Sequence, residues 1–218
     1  MKKLKLVVFA LLFSLTFLSC SKQENPTDKP GAEDKTEESK TEISGEVKSF
    51  QVQYKITGGI MEGESTQIVQ GSDFKSTVSF KVAGQSFETV TFSSGDSVYM
   101  MMDMGYAKQN VVMGLKEFKG ESSDDPTKMD IAGLQEELKK HKKLGTETII
   151  GKLCQIYDIG GGTLMSVYDD QIPLKIQNKE MTLVATAFEI NPELPKDTFT
   201  PPADVVFKSV KSMIDIND

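Results

Sequence analysis

The fold prediction starts from residues 50–56, the stretch FQVQYKI. Apolar and polar side chains alternate along it, as in a β-strand with one buried and one solvated face. The alternation recurs in residues 74–82, 90–92 and 98–104, and turns rich in Gly, Ser and Asp separate these runs. Short strands parted by turn residues predict an antiparallel meander.

A helix is predicted in the middle of the chain. The Asp-Pro pair at 125–126 suits a helix start, and Ile131, Leu134 and Leu138 recur at three- and four-residue steps. We place the lysine-rich stretch 139–143 in the last turn of this helix, where cations suit the helix dipole. Strands resume afterwards, so the expected fold class is α+β.

The first twenty residues have the layout of a secretory signal. A basic start at residues 2–5 precedes an apolar run, 6–18, which is shorter than the ~20 residues that a membrane-spanning helix needs. The string FLSC, residues 17–20, resembles the lipobox of bacterial lipoproteins, although Phe17 stands where that family usually has leucine. In the family the cysteine, here Cys20, becomes the mature N-terminus and carries acyl chains. Cleavage elsewhere, with loss of this cysteine, is the alternative.

These features predict three segments. They are a signal peptide, 1–19, a lipidated disordered tether, 20–44, and one folded domain, 45–218. The tether is almost free of apolar side chains, and such a segment cannot offset its ordering entropy. Two or more acyl chains, such as palmitate, anchor stably, so we expect contact with the membrane through acylated Cys20. Ser21 permits sorting to the outer membrane by the rule of some bacteria, which places the protein on its periplasmic face or at the cell surface.

Composition argues against several classes of function. The formal net charge is −7 and the chain contains no arginine, which argues against a nucleic-acid partner. His141, the only histidine, lies among lysines, and Cys154 is the only cysteine besides Cys20. These residues offer neither a nucleophile–base pair nor a zinc ligand set. We therefore expect no enzymatic activity, no catalytic residues, no cofactor and no metal.

Methionines form the one unusual cluster. Strand alternation puts Met100, Met102 and Met104 on one face. Methionine fills cores adaptably, lines greasy binding surfaces and binds copper(I), and these three alternatives stay open.

Two segments resemble the family of the outer-membrane lipoprotein-sorting carriers. Residues 145–157 fit a G-x-E-x-I-x-G-x-x-C-x-x-Y pattern, and residues 190–202 fit I-N-P-x-L-P-x-x-x-F-x-x-P. Both are similar to the LolA/LolB-like superfamily, including its DUF4412-type members. The resemblance implies a curved antiparallel sheet, an open half-barrel, packed on one or a few helices around an apolar cavity. The arginine latch of the soluble carrier has no counterpart here.

The sequence therefore predicts a membrane-anchored lipoprotein that binds a lipid or an acylated ligand, including a lipoprotein, in this cavity. The alternative is a structural or protein-interaction lipoprotein with a filled core and no small-molecule ligand. The expected cavity residues come from three strands and the helix. They are Phe50, Val52, Tyr54, Ile56, Val78, Phe80, Met100, Met102, Met104, Leu134 and Leu138.

Overall fold

The computed structural model describes residues 46–58, 61–82, 84–119 and 131–210. These residues form twelve strands and two short helices. The strands are β1 (Ser49–Gly58), β2 (Met61–Gln70), β3 (Asp73–Val82), β4 (Gln85–Ser94), β5 (Ser97–Asp103), β6 (Lys108–Gly114), β7 (Lys142–Ile149), β8 (Lys152–Gly160), β9 (Thr163–Tyr168), β10 (Ile172–Gln177), β11 (Thr182–Ile190) and β12 (Lys208–Ser209). The helices are α1 (Leu115–Lys119) and α2 (Ile131–Leu138).

All twelve described strands belong to one sheet, built from two meanders. Strands β1 to β6 pair in chain order, and β7 to β11 do the same. The antiparallel pairing of β1 with β11 joins the two meanders, while β12 adds to β6 in parallel. The predicted meander is thus present, and the first strand of the domain lies at the centre of the sheet.

The expected fold class, an α+β half-barrel packed on helices, is wrong. The described residues form a mixed twelve-stranded sheet with helices of only five and eight residues. The error arises at the stretch 139–143, because α2 ends at Leu138 and Lys142 already begins β7. Residues 142–149 pair along β8, and these sheet hydrogen bonds outweigh a weak helical preference.

The main core lies where the second meander meets β1. The β1 residues Val52 and Tyr54 share a buried cluster with Ile172 and Leu174 of β10. Strand β10 pairs with β11 only over Lys175–Gln177, after a register shift in its pairing with β9. The earlier part of β10 therefore crosses the buried side of β1.

The signal peptide, Cys20 and the tether 20–44 all lie outside the described residues. Nothing in the structure tests the predicted boundaries of these segments.

Candidate functional site

The predicted strand residues share one side of the first meander. Residues directly opposite each other in antiparallel strands lie on the same face. One row of such partners runs from Tyr54 through Val78 to Met102, and a second joins Val52 to Met100. We call this side of β1 to β6 the inner face and the opposite side the outer face. The inner face carries the predicted residues Phe50, Val52, Tyr54, Ile56, Val78, Phe80, Met100 and Met102, and Met104 follows β5 by the same alternation.

The β1 part of the inner face is covered by the protein itself. Phe50, Val52, Tyr54 and Ile56 expose between 0% and 4% of their surface, within the cluster that includes Leu174. The Tyr54 hydroxyl donates a hydrogen bond to the carbonyl oxygen of Pro173 at 2.7 Å. Burial raises the pKa of Tyr54, so this hydroxyl keeps its proton. These side chains act as core in this conformation.

The part of the inner face on β3 and β5 is more open. Val78, Phe80, Met100 and Met104 are half-buried, and Met102 exposes 7% of its surface. We call these five residues the β3–β5 patch. Val78 packs against the main core, so the patch continues that core toward solvent.

Two aromatic contacts bound the patch. At one end Phe118 of α1 stacks on Phe74 with ring centroids 5.7 Å apart, and this covers the inner face there. At the other end Phe80 stacks on Phe87 at 5.2 Å, and both rings remain half-buried. The patch is therefore closed toward α1 and more open at the end where β3 turns into β4.

Small and hydroxyl-bearing residues fill the inner face around the patch. Ser65 lies between Tyr54 and Val78, and Thr89 lies between Val78 and Met102. Ser65 exposes only 3% of its surface, and its Oγ has no hydrogen-bond partner among the described residues. These short side chains leave the neighbouring large apolar groups as the main contact surface.

Close strand packing explains one glycine of the inner face. A Cβ atom on Gly63 would lie 2.4 Å from the Ser79 carbonyl oxygen and 2.7 Å from Cβ of Phe80. Any larger residue at this position would push β2 away from β3 beside the patch.

The helix residues belong to a different cluster. Leu134 and Leu138 of α2 are buried against Tyr157, Met165 and Val167 of β8 and β9. The structure therefore does not bring the two leucines together with the β1 side chains or with the methionines. The helix covers the second meander, whereas the prediction had its leucines face the other cavity residues.

Sequence reasoning missed a polar cluster that ties β7, β9 and β10 together. Lys175 Nζ donates to both carboxylate oxygens of Glu147, at 3.0 and 3.3 Å, and the buried Ser166 hydroxyl donates to the same carboxylate. Burial acts to raise the pKa of Glu147, but the hydrogen bonds from Ser166 and Lys175 outweigh it and lower the pKa overall. The three residues are 19 and 28 positions apart, so spacing alone could not have revealed them.

Cys154 lies in β8 with no exposed surface. Burial, reinforced by the nearby Glu147 carboxylate, raises the pKa of its thiol to about 11. A thiol that stays protonated at neutral pH is a poor nucleophile. This residue contributes to packing, as a small apolar side chain.

A shallow cavity of about 160 Å³ lies beside the register shift between β1 and β11. Tyr54 is the one residue of the predicted set that lines this cavity. The remaining lining residues are polar or charged. They are Gln53, Lys55, Glu64, Ser65, Thr66 and Thr186. Such a lining does not suit an acyl chain.

Two other features are absent from the residues that the structure describes. No helix in this part of the chain is long and apolar enough to cross a membrane. No group of three or more His, Cys, Asp or Glu side chains in the same ranges is placed to hold a metal ion.

No family model matches the sequence, and the search of curated proteins found no match. Among solved structures, PNGF-II aligns with 78% of this chain at 10% identity and a TM-score of 0.40, and the chain spans 33% of that protein. MucB in complex with MucA(peri) aligns with 71% of the chain at 13% identity and a TM-score of 0.34, over 54% of its own length. These likenesses are too distant to carry a functional argument. They give no direct support to the LolA/LolB-like resemblance.

Proposed function

We propose that this chain is an exported lipoprotein, anchored in the outer membrane by acylated Cys20, that binds an acyl chain of a lipid or acylated ligand. The proposed contact surface is the β3–β5 patch. It has no catalytic role, and binding follows from apolar contact. The observation that carries the proposal is the strand register, which puts half-buried Val78 and Phe80 on the same face as Met100 and Met102, and the alternation continues to Met104.

Several physical features support this ligand class. Apolar contact contributes roughly 25 cal/mol per Å² removed from water, and methionine adapts to varied chain shapes. The patch adjoins the main core through Val78, so a bound chain would extend an existing apolar interior. The covered β1 side chains are then the support of the site and not its lining.

Burial at β1 favours the second candidate, a structural or protein-interaction lipoprotein with a filled core. Val52 and Leu174 have no exposed surface, so this part of the interior already holds its own side chains. Under this candidate the patch is the margin of a packed core.

Binding of a fluorescent fatty acid to the full chain, isolated from membranes in detergent, tests the two candidates. Met100 and Met101 are neighbours on β5, are both half-buried and face opposite sides. We expect Met100→Asn to weaken fatty-acid binding about tenfold, which corresponds to ~1.4 kcal/mol. The matched variant Met101→Asn should leave binding unchanged.

Native mass spectrometry with lipid extraction completes the test. Co-purifying lipid supports the acyl-binding proposal. A lipid-free mass together with no fatty-acid uptake by the unmodified chain refutes it and favours the filled core. Incorporation of labelled palmitate, lost in Cys20→Ala, tests the anchor separately.

A further inference from the structure

The two ends of the first meander differ in composition. At one end the β2–β3 and β4–β5 turns are formed by exposed polar and glycine residues at 71–72 and 95–96. At the other end Val82 closes β3, and residues 104–107, Met-Gly-Tyr-Ala, connect β5 to β6. Tyr106 in this connection exposes 70% of its surface. The β3–β4 turn at this end is polar as well, with Gly84, Gln85 and Ser86 exposed, so the 104–107 connection is the exception. Turns are normally polar, and its exposed tyrosine beside a methionine calls for an explanation.

The 104–107 connection is continuous with the proposed binding surface. Phe80 and Met104 belong to the β3–β5 patch, and Phe87 stacks on Phe80 at 5.2 Å. The Tyr106 hydroxyl lies 3.9 Å from Sδ of Met104. We call Phe80, Val82, Phe87, Met104 and Tyr106 the apolar end. The patch therefore runs to the tip of the sheet at this end.

We infer that the apolar end is seated on the surface of the lipid bilayer that holds the chain. The inference rests on the proposed anchoring through Cys20. Tyrosine is enriched at membrane–water interfaces, where its ring meets apolar surface and its hydroxyl stays hydrated. Seated in this way, the apolar end would open the β3–β5 patch directly toward lipid.

Charges near the apolar end do not oppose this placement. Lys81 lies opposite Glu62 in the β2–β3 pair, and Lys108 Nζ lies 3.0 Å from an Asp103 carboxylate oxygen. These four groups lie on the outer face, where each positive charge has a negative charge beside it. Glu88 lies across from Asp103 on the same face, so the acidic side of the strands points away from the patch.

The length of the N-terminal segment permits this orientation. Strand β1 begins at the polar end, and its ten residues span ~33 Å at about 3.3 Å per residue. Residues 21–45, between Cys20 and the described chain, could extend to at most ~85 Å at about 3.4 Å per residue. An acylated Cys20 could therefore lie in the same bilayer that the apolar end touches, although β1 starts at the far end.

The chain contains no tryptophan, so a single substitution creates a position-specific fluorophore. Tyr106→Trp reports on the apolar end, and Ser72→Trp is the matched control in an exposed turn at the polar end. Each full chain, isolated from membranes, is reconstituted into phosphatidylethanolamine–phosphatidylglycerol vesicles with or without brominated acyl chains. We expect bromine to quench Tyr106→Trp at least about twofold more than Ser72→Trp, because interfacial aromatic rings lie at headgroup depth.

Equal quenching at the two positions overturns the inference. A second result also overturns it: the emission of Tyr106→Trp shifts with protein concentration in detergent, and bromine has no effect in vesicles. This result would show that the apolar end binds a second copy of the chain. Failure of the proposed function has a different signature. If the chain takes up no fatty acid but bromine still quenches Tyr106→Trp, the acyl-binding proposal is refuted and the contact of the apolar end with the bilayer stands. If no palmitate label is incorporated, the proposed anchoring through Cys20 is refuted.

Discussion

The inner face of β1 and the inner face of β3 to β5 carry the same kind of side chain but have different surroundings. Phe50, Val52 and Tyr54 are covered by strands of the second meander, and the Tyr54 hydroxyl donates a hydrogen bond to one of them, β10. Met100 and Phe80, on the same face, remain half-buried. The difference shows that the second meander covers the apolar side chains of β1 and leaves those of β3 and β5 as an open patch on the same face.

A cavity variant in the crossing strand should produce the largest effect. Leu174 has no exposed surface, so Leu174→Ala should lower the free energy of unfolding by ~2–5 kcal/mol through lost burial and the space left behind. Half-buried Met104 lies at the edge of the patch, so Met104→Ala should cost about 1 kcal/mol or less. Urea denaturation measures both. Equal losses would mean that the patch is packed as tightly as the core, and the comparison would fail.

The hydrogen bond that fixes β10 over β1 offers a finer test. Tyr54→Phe keeps the buried ring but leaves the Pro173 carbonyl without its donor, which should cost ~1–3 kcal/mol of unfolding free energy. Tyr106→Phe is the control, because Tyr106 exposes 70% of its surface. Loss of its hydroxyl should change the free energy of unfolding by about 0.5 kcal/mol or less. Thermal denaturation of both variants gives the comparison. A Tyr54→Phe variant as stable as the unmodified protein would show that side-chain packing alone holds the crossing.

Much of the first meander could be predicted from its sequence. Alternation assigns the faces of β1, β3 and β5, because side chains on a strand point to opposite sides in turn. The structure places Val78 and Met102 in one row with Tyr54, as that alternation requires. These assignments depend only on local pattern and nearest-neighbour pairing.

The second meander could not be predicted in the same way. The sequence of β1 has the same inward Val and Tyr residues whether another strand or a ligand packs against them. It therefore contains no signal that β10 crosses β1. Pro173 was the one available signal, because proline inside a strand marks an edge or an irregularity. The end of α2 at Leu138 was missed since lysines suit both a helix end and an exposed edge strand.

The Glu147 cluster holds the crossing strands together and provides a pH-dependent test of the same division. Its carboxylate, 30% exposed, binds Lys175 and Ser166, so Glu147→Gln should lower the unfolding free energy at pH 7 by about 1 kcal/mol. Glu136→Gln, which removes an exposed pair with Lys139, should have almost no effect.

The direction of the pH effect follows from the lowered pKa of Glu147 in the folded protein. A carboxyl whose folded pKa lies below its unfolded value stabilises the fold above that unfolded value, 4.5, and loses this contribution as the pH falls through the folded pKa. The stability difference between the unmodified chain and Glu147→Gln should therefore be full at pH 7 and shrink below pH 4.5. Urea denaturation across this range measures it. A constant difference would show that the crossing strands are held by packing, and that this carboxylate contributes through shape and not through charge.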